Sequence, residues 1–133
     1  MALIVHSGTM DRLLSALILS STAVSMDFEV HLYFTFWGLM MLKKGEMDKT
    51  ILPATYKHME NQLKEKLKQM GYPTPYEMLR RMKGTGKLKV YACTPTMEMF
   101  DIAKNDLIPE VDAFAGAATF LDVAEGAAIS MMI

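Results

Sequence analysis

Cysteine is the scarcest reactive residue in this sequence, because Cys93 is the only one among 133 residues. One thiol excludes an internal disulfide, metal sites built from CxxC pairs and thioredoxin-type redox pairs. A chain that needs no disulfide fits a reducing compartment, so we expect a cytoplasmic protein. Tryptophan is equally rare, since Trp37 is the only one in the chain.

Several recurrent motifs are missing as well. The sequence has no GxGxxG, no GxxxxGK[ST] and no GxSxG, so no motif predicts dinucleotide binding, a P-loop or a hydrolase elbow. We therefore expect no cofactor and no metal. The most apolar long stretch, residues 13–24, is about half a bilayer crossing, and the N-terminus lacks the basic region of a signal peptide. We expect a soluble protein with no integral membrane segment.

Charge is nearly balanced but unevenly placed. The net charge of −1 gives no support to nucleic-acid binding through bulk charge. Residues 43–89 hold 12 of the 14 Lys and Arg but only 5 of the 15 Asp and Glu, a local net of +7, whereas the rest of the chain carries 2 basic and 10 acidic residues. The segment is either a solvated helical face or a basic surface that docks an acidic partner.

Predicted strands and helices alternate along the chain. The predicted strands cover residues 2–6, 28–34, 87–92, 111–115 and 127–133. The predicted helices begin after Thr9, cover 39–42 and 57–70, run from Pro75 to near Gly84, begin again after Thr94 and cover 117–125. This alternation predicts an α/β fold, a three-layer α/β/α sandwich around a parallel sheet. We expect one domain over residues 1–133, with a basic helical insertion at about 43–86.

The carboxyl ends of the strands are where open parallel sheets bind their ligands. The candidate site residues at this edge are His6, Ser7, Gly8, Phe36, Trp37, Cys93, Thr94, Thr96 and Gly116. Cys93 also precedes a predicted helix with Thr94 as its cap, and the positive end of a helix stabilises a thiolate. The residues alone leave two interpretations open: a nucleophilic thiol assisted by His6, or a small apolar residue at a strand end.

Four segments, in order and each at a predicted strand end, resemble the DsrE/DsrF-like family. They read VHSG (residues 5–8), FTFWGL (34–39), YACTPTM (91–97) and GAATFL (116–121). The likeness is closest to small sulfur-relay relatives described as peroxiredoxin-like. It implies a five-stranded parallel sheet and a homo-oligomer, often a trimer or a hexamer. It also implies sulfur relay, in which a cysteine holds sulfane sulfur as a persulfide, and Cys93 occupies the matching position.

The leading hypothesis is a small soluble sulfur carrier or sulfurtransferase-like protein. Cys93 would hold the persulfide and pass it to a partner thiol, and the basic segment would dock an acidic sulfur donor or acceptor. One alternative is a non-catalytic oligomeric binding or assembly module, for which the 14 methionines are suited. Another is a peroxidase that forms a sulfenic acid and needs an external thiol. A fully buried thiol with an unshifted or raised pKa would favour the module.

Overall fold

One parallel sheet organises the protein. The computed structural model describes residues 1–133. The strands are β1 (Ala2–Val5), β2 (Val30–Phe34), β3 (Leu88–Cys93), β4 (Ala113–Ala115) and β5 (Ser130–Met132). Their spatial order is β4-β3-β2-β1-β5, and every neighbouring pair is parallel. The predicted α/β class and five-stranded parallel sheet are therefore confirmed.

Six helices connect these strands. They are α1 (Met10–Ser25), α2 (Phe36–Met40), α3 (Glu60–Gln69), α4 (Pro75–Gly84), α5 (Thr94–Met99) and α6 (Ala117–Glu125). Short 3₁₀ turns lie at Met47–Lys49, Ala54–Met59 and Lys104–Asp106. None of these helices combines the length and the apolar character that crossing a bilayer requires. The connections from β1 to β2, β3 and β4 each add a strand on the same side of the sheet, whereas the connection from β4 to β5 crosses back to the other side of β1. Because such crossovers are right-handed, α6 lies on the face opposite α1 and α4.

The larger core lies between the sheet and the layer that contains α1 and α4. Alternate strand residues point into it, because side chains alternate between the two faces of a strand. The strand residues of this core are Leu3, Val5, Val30, Leu32, Phe34, Leu88, Val90 and Ala92. Leu13 and Leu17 of α1 and Leu79 of α4 cover them and are fully buried. By contrast, α3 has no buried residue, so it lies on the outside of this layer.

The smaller core lies on the other face of the sheet, under α6. It consists of Ala2, Tyr33, Cys93, Ala115 and Phe120. The ring of Phe120 stacks on the ring of Tyr33, with 4.7 Å between centroids and 19° between planes. This face therefore holds the only thiol of the chain within a small group of apolar and aromatic side chains.

The start of α4 agrees with its prediction in detail. The Thr74 hydroxyl accepts from the backbone N–H of Glu77, the Glu77 carboxylate accepts from the backbone N–H of Thr74, and Pro75 opens the helix. This is the reciprocal capping box that the spacing predicts. The start of α5 differs, because Cys93 and not Thr94 is the cap. β3 stays paired through Cys93, opposite Ala115. Cys93 is therefore the last extended residue and Thr94 the first helical one, one residue earlier than predicted.

The short helix after β2 also begins earlier than predicted, at residue 36 and not 39. Its start is unusual, since Phe36 has a φ of +46°, a region that bulky residues seldom occupy. The cause is a close approach to the end of β1: the Gly38 N–H donates to His6 O at 2.9 Å. A Cβ on Gly38 would lie 2.1 Å from Val5 O, so only glycine allows α2 to begin there.

Candidate functional site

The Cys93 side chain lies at the end of β3, where that strand meets α5. The last paired residues of β2 and β3 are Phe34 and Ala92. The next residue on each strand is Thr35 and Cys93, so these two lie opposite each other. Because strand side chains alternate, Tyr33, Thr35 and Cys93 share the α6 face. Cys93 is only 6% exposed. The sulfur is thus enclosed by groups from two neighbouring strands and the first turn of α5.

Two buried threonines supply hydroxyl groups beside the sulfur. The Oγ1 atoms of Thr35 and Thr96 lie 3.1 Å apart, and the Phe36 N–H donates to Thr96 Oγ1 at 3.2 Å. Each hydroxyl carries one proton. Their mutual hydrogen bond uses one of the two protons, so the other is free to be donated to the Cys93 sulfur. A threonine pair arranged in this way can solvate a thiolate without water.

Tyr33 brings a third hydroxyl to the same place. Its Oη donates to Ala115 O at 3.3 Å, and the carbonyl and the Cys93 sulfur compete for its single proton. Burial raises the pKa of Tyr33, and the hydrogen bond with Cys93 and the charge of its thiolate raise it further. Tyr33 therefore stays protonated near neutral pH and acts only as a donor toward the sulfur.

The pKa of the Cys93 thiol reflects two opposing effects. Burial is the larger single effect and raises the pKa, but hydrogen bonds from the hydroxyls of Thr35, Thr96 and Tyr33, with the backbone N–H of Thr96, together lower it below its ordinary value of 9.0. Hydrogen bonds to the charged form favour ionisation. The site thus combines a nearly buried sulfur with a pKa shifted toward the thiolate, which is the nucleophilic form.

His6 lies farther from the sulfur than the three hydroxyls. It follows Val5, which pairs with Phe34, which in turn pairs with Ala92. Two strand spacings of about 4.8 Å each therefore separate the backbones of His6 and Cys93. The His6 ring packs against the ring of Phe36, 5.2 Å between centroids. The groups that set the pKa of Cys93 come from β2 and α5, and His6 is not among them.

Ser7, Gly8 and Trp37 lie after the ends of β1 and β2 and make contacts that do not involve Cys93. The Ser7 hydroxyl is 3.1 Å from the Thr9 hydroxyl. Gly8 packs against Trp37, since a Cβ on Gly8 would lie 2.8 Å from Trp37 O. The indole is 55% exposed and its ring lies 5.4 Å from that of Phe100. Trp37 and Phe100 therefore form an aromatic surface near the ends of β1 and β2.

Thr94 and Gly116 sit next to each other beside Cys93. A Cβ on Gly116, which caps α6, would lie 4.0 Å from Thr94 Oγ1. The structure thus brings Cys93, Thr94, Thr96 and Gly116 together where β3 and β4 end. It contains no group of three or more His, Cys, Asp or Glu side chains placed to hold a metal ion.

Tyr33 and Thr35 are the site residues absent from the sequence-based set. Their signal is the two-residue period of a strand, which puts positions 33 and 35 on one face. That signal identifies the sulfur's neighbours only when the register of β2 against β3 is known, and the register follows from the tertiary structure.

Two overlapping parts of the chain, residues 1–83 and 59–132, match the DsrE/DsrF/DrsH-like family. The chain belongs to this family. The resemblance read from the four strand-end segments is therefore confirmed.

Individual relatives match this chain over almost its whole length. It is 31% identical, over 156 residues, to the sulfur carrier protein DsrE2 of Allochromatium vinosum, with 100% of this chain and 97% of the relative covered. It is 26% identical to the protein YrkE of Bacillus subtilis, with 98% and 94% covered.

Two solved structures share the fold at 14% identity. The ychN protein of E. coli superposes with a TM-score of 0.63, covering 99% of this chain and 97% of that one. The protein MTH1491 of Methanobacterium thermoautotrophicum superposes with a TM-score of 0.56, covering 99% and 98%.

Proposed function

We propose that this protein is a sulfur carrier that holds a persulfide on Cys93 and passes its outer sulfur to a partner thiol. The observation that carries the proposal is the only thiol of the chain at the end of β3, beside the hydrogen-bonded hydroxyls of Thr35 and Thr96, where hydrogen bonds lower its pKa. The similarity to a protein named as a sulfur carrier supports the same chemistry.

Both steps of the proposed reaction need one thiolate and no second cysteine. The Cys93 thiolate attacks the outer sulfur of a donor persulfide, the donor's S–S bond breaks, and its electron pair leaves on the donor thiolate. Cys93 then bears the persulfide. An acceptor thiolate attacks the outer sulfur in turn, the new S–S bond breaks, and Cys93 leaves as a thiolate. No net oxidation or reduction of the pair occurs.

The hydroxyls fit this cycle because Cys93 is an attacking group in one step and a leaving group in the other. Hydrogen bonds from the cluster of Thr35, Thr96 and Tyr33 hydroxyls favour the charged sulfur, and the bond between the two threonines leaves one of their two protons for it. Preorganised donors stabilise charge that develops during a reaction without reorganising. In this proposal the remaining edge residues, His6, Ser7, Gly8, Phe36, Trp37, Thr94 and Gly116, line the approach for the donor and the acceptor.

The open edge of the sheet and the charge of the chain bear on assembly and partners. β5 lies at the edge of the sheet and its residues are exposed, and Leu121 and Met132 are each 63% exposed. An open edge beside apolar side chains suits self-association, so we propose a homo-oligomer, a trimer or a hexamer, in the cytoplasm. The basic segment between β2 and β3 would dock an acidic donor or acceptor.

Mass spectrometry tests the carrier directly. After incubation with a sulfane-sulfur donor such as a low-molecular-weight polysulfide, the intact protein should gain about 32 Da, the mass of one sulfur atom. Cys93→Ser should gain nothing, and addition of an acceptor thiol should remove the adduct from the wild type. A wild type that gains no mass beyond that of Cys93→Ser would sink the proposal.

A non-catalytic module remains the second candidate, because Cys93 is only 6% exposed. The two candidates differ in what a small alkylating agent does to the folded protein. A carrier reacts at neutral pH faster than an unperturbed thiol of the same exposure. A module reacts only when the protein unfolds, so its alkylation rate follows the denaturation curve.

A further inference from the structure

A cleft lies at the carboxyl ends of the strands, on the opposite face of the sheet from Cys93. Its walls are the starts of α1 and α4, the end of α3 and the turn that joins α3 to α4. Its volume is about 530 Å³, within the range of clefts that bind small molecules. The starts of α1 and α4 point to the carboxyl ends of the strands, where α/β folds bind ligands.

Three of the five charged side chains that line this cleft are already engaged. The Asp48 carboxylate accepts from the backbone N–H of Tyr76 at 2.9 Å. Glu77 closes the capping box of α4. The Lys64 ammonium pairs with Glu60 at 2.6 Å. Each of these three side chains therefore has a hydrogen-bond or ion-pair partner within the protein.

The other two charged residues, Lys68 and Arg81, have no such partner. Both line the cleft, and neither takes part in any ion pair of the structure. One comes from α3 and one from α4, so two cations from different helices face a shared space. Three cations and two carboxylates line the cleft, so its lining has a net charge of +1, and the two cations without an ion-pair partner can bind an anion.

The rest of the lining supplies apolar contact. Met10 and Leu14 of α1 and Leu67 of α3 line one part of the cleft, with the ring of Tyr72 beside them. Small-molecule sites combine a mostly apolar surface with a few polar groups that fix orientation. A molecule that fits both parts needs an apolar body and one anionic head.

We propose that this cleft binds a small amphipathic anion, a carboxylate, sulfonate or phosphate on an apolar body. Lys68 and Arg81 bind the anionic group, and the side chains of Met10, Leu14 and Leu67 contact the apolar body. Arginine and lysine together match such heads, the former through two parallel hydrogen bonds and the latter as a point charge. The site is separate from Cys93, and it stands or falls independently of the sulfur-carrier proposal.

Anilinonaphthalene sulfonate is a suitable probe, because phenylnaphthylamine has the same ring system without the sulfonate. Calorimetric titration of the wild type should show one sulfonate probe bound per chain. The neutral analogue should bind at least roughly tenfold more weakly. The double variant Lys68→Gln/Arg81→Gln should lose roughly tenfold or more in affinity for the sulfonate. Its affinity for the neutral analogue should not change.

Lys66→Gln/Lys89→Gln is the matched control, because it removes two exposed cations that lie outside the cleft. It should bind the sulfonate as the wild type does. Three results would each overturn the proposal: no sulfonate binding to the wild type, equal affinity for the charged and neutral probes, or equal loss in the two double variants. The comparison of probes uses the wild type alone and so does not depend on how a variant folds.

Discussion

Thr96→Val is the sharpest test of the hydroxyl cluster around Cys93. The change keeps the shape of the side chain and replaces Oγ1 with a methyl group. It removes the 3.1 Å bond to Thr35 and the 3.2 Å acceptor of the Phe36 N–H. Thr96 is fully buried, so water does not replace either bond. We expect a loss of about 1–2 kcal/mol in the free energy of unfolding and a fall in Tm of about 4–8 °C.

The same change should also alter the reactivity of Cys93. Loss of the Thr96 hydroxyl takes away one of the donors that hold the pKa of the Cys93 thiol below 9.0. The pKa should rise, and the rate of alkylation by iodoacetamide at neutral pH should fall. The midpoint of the alkylation rate against pH measures this shift. A purely structural threonine would lower Tm and leave that midpoint in place.

Thr96→Ser is the matched control, because it keeps the hydroxyl and removes only the methyl group. We expect a wild-type midpoint for this variant with a small loss of stability from the cavity. A midpoint for Thr96→Val equal to or below that of the wild type would refute the role assigned to the hydroxyl. So would an equal rise in the midpoint of both variants.

Two further predictions concern backbone packing and pH. Gly38→Ala should cost at least about 3 kcal/mol in urea denaturation, because its Cβ would lie 2.1 Å from Val5 O. Gly84→Ala, which meets nothing within 4 Å, should instead be neutral or slightly stabilising. The wild type should gain stability over Cys93→Ala as pH rises through the window between the lowered pKa of folded Cys93 and 9.0, since only the unfolded thiol holds its proton there. Stability that fell with pH relative to Cys93→Ala would contradict the lowered pKa.

The fold could be predicted from the sequence because its signals are local. Thr74, Pro75 and Glu77 define a helix start through contacts within four residues. The alternation of strands and helices along the chain then indicates a parallel sheet. The one-residue error at α5 arose where a local signal competes with a tertiary one: Thr94 is a good cap by residue type, but Cys93 is held extended by the pairing of β3 with β4.

The surroundings of Cys93 could be predicted only in part. The sequence places the thiol at a strand end next to a helix start, and both features are present. The hydroxyls of Tyr33 and Thr35 are about 60 residues away along the chain. They reach the sulfur through the register of β2 against β3, which depends on the packing of the whole sheet.

Trp37 has a practical consequence, because it is the only tryptophan in the chain. Its indole is more than half exposed and lies beside Phe100, at the edge where β1 and β2 end. Intrinsic fluorescence of the protein therefore reports on this edge, without a label. A partner that covers the edge should shift the emission to the blue. Occupation of the cleft between α1, α3 and α4 should leave it unchanged, because Trp37 does not line that cleft.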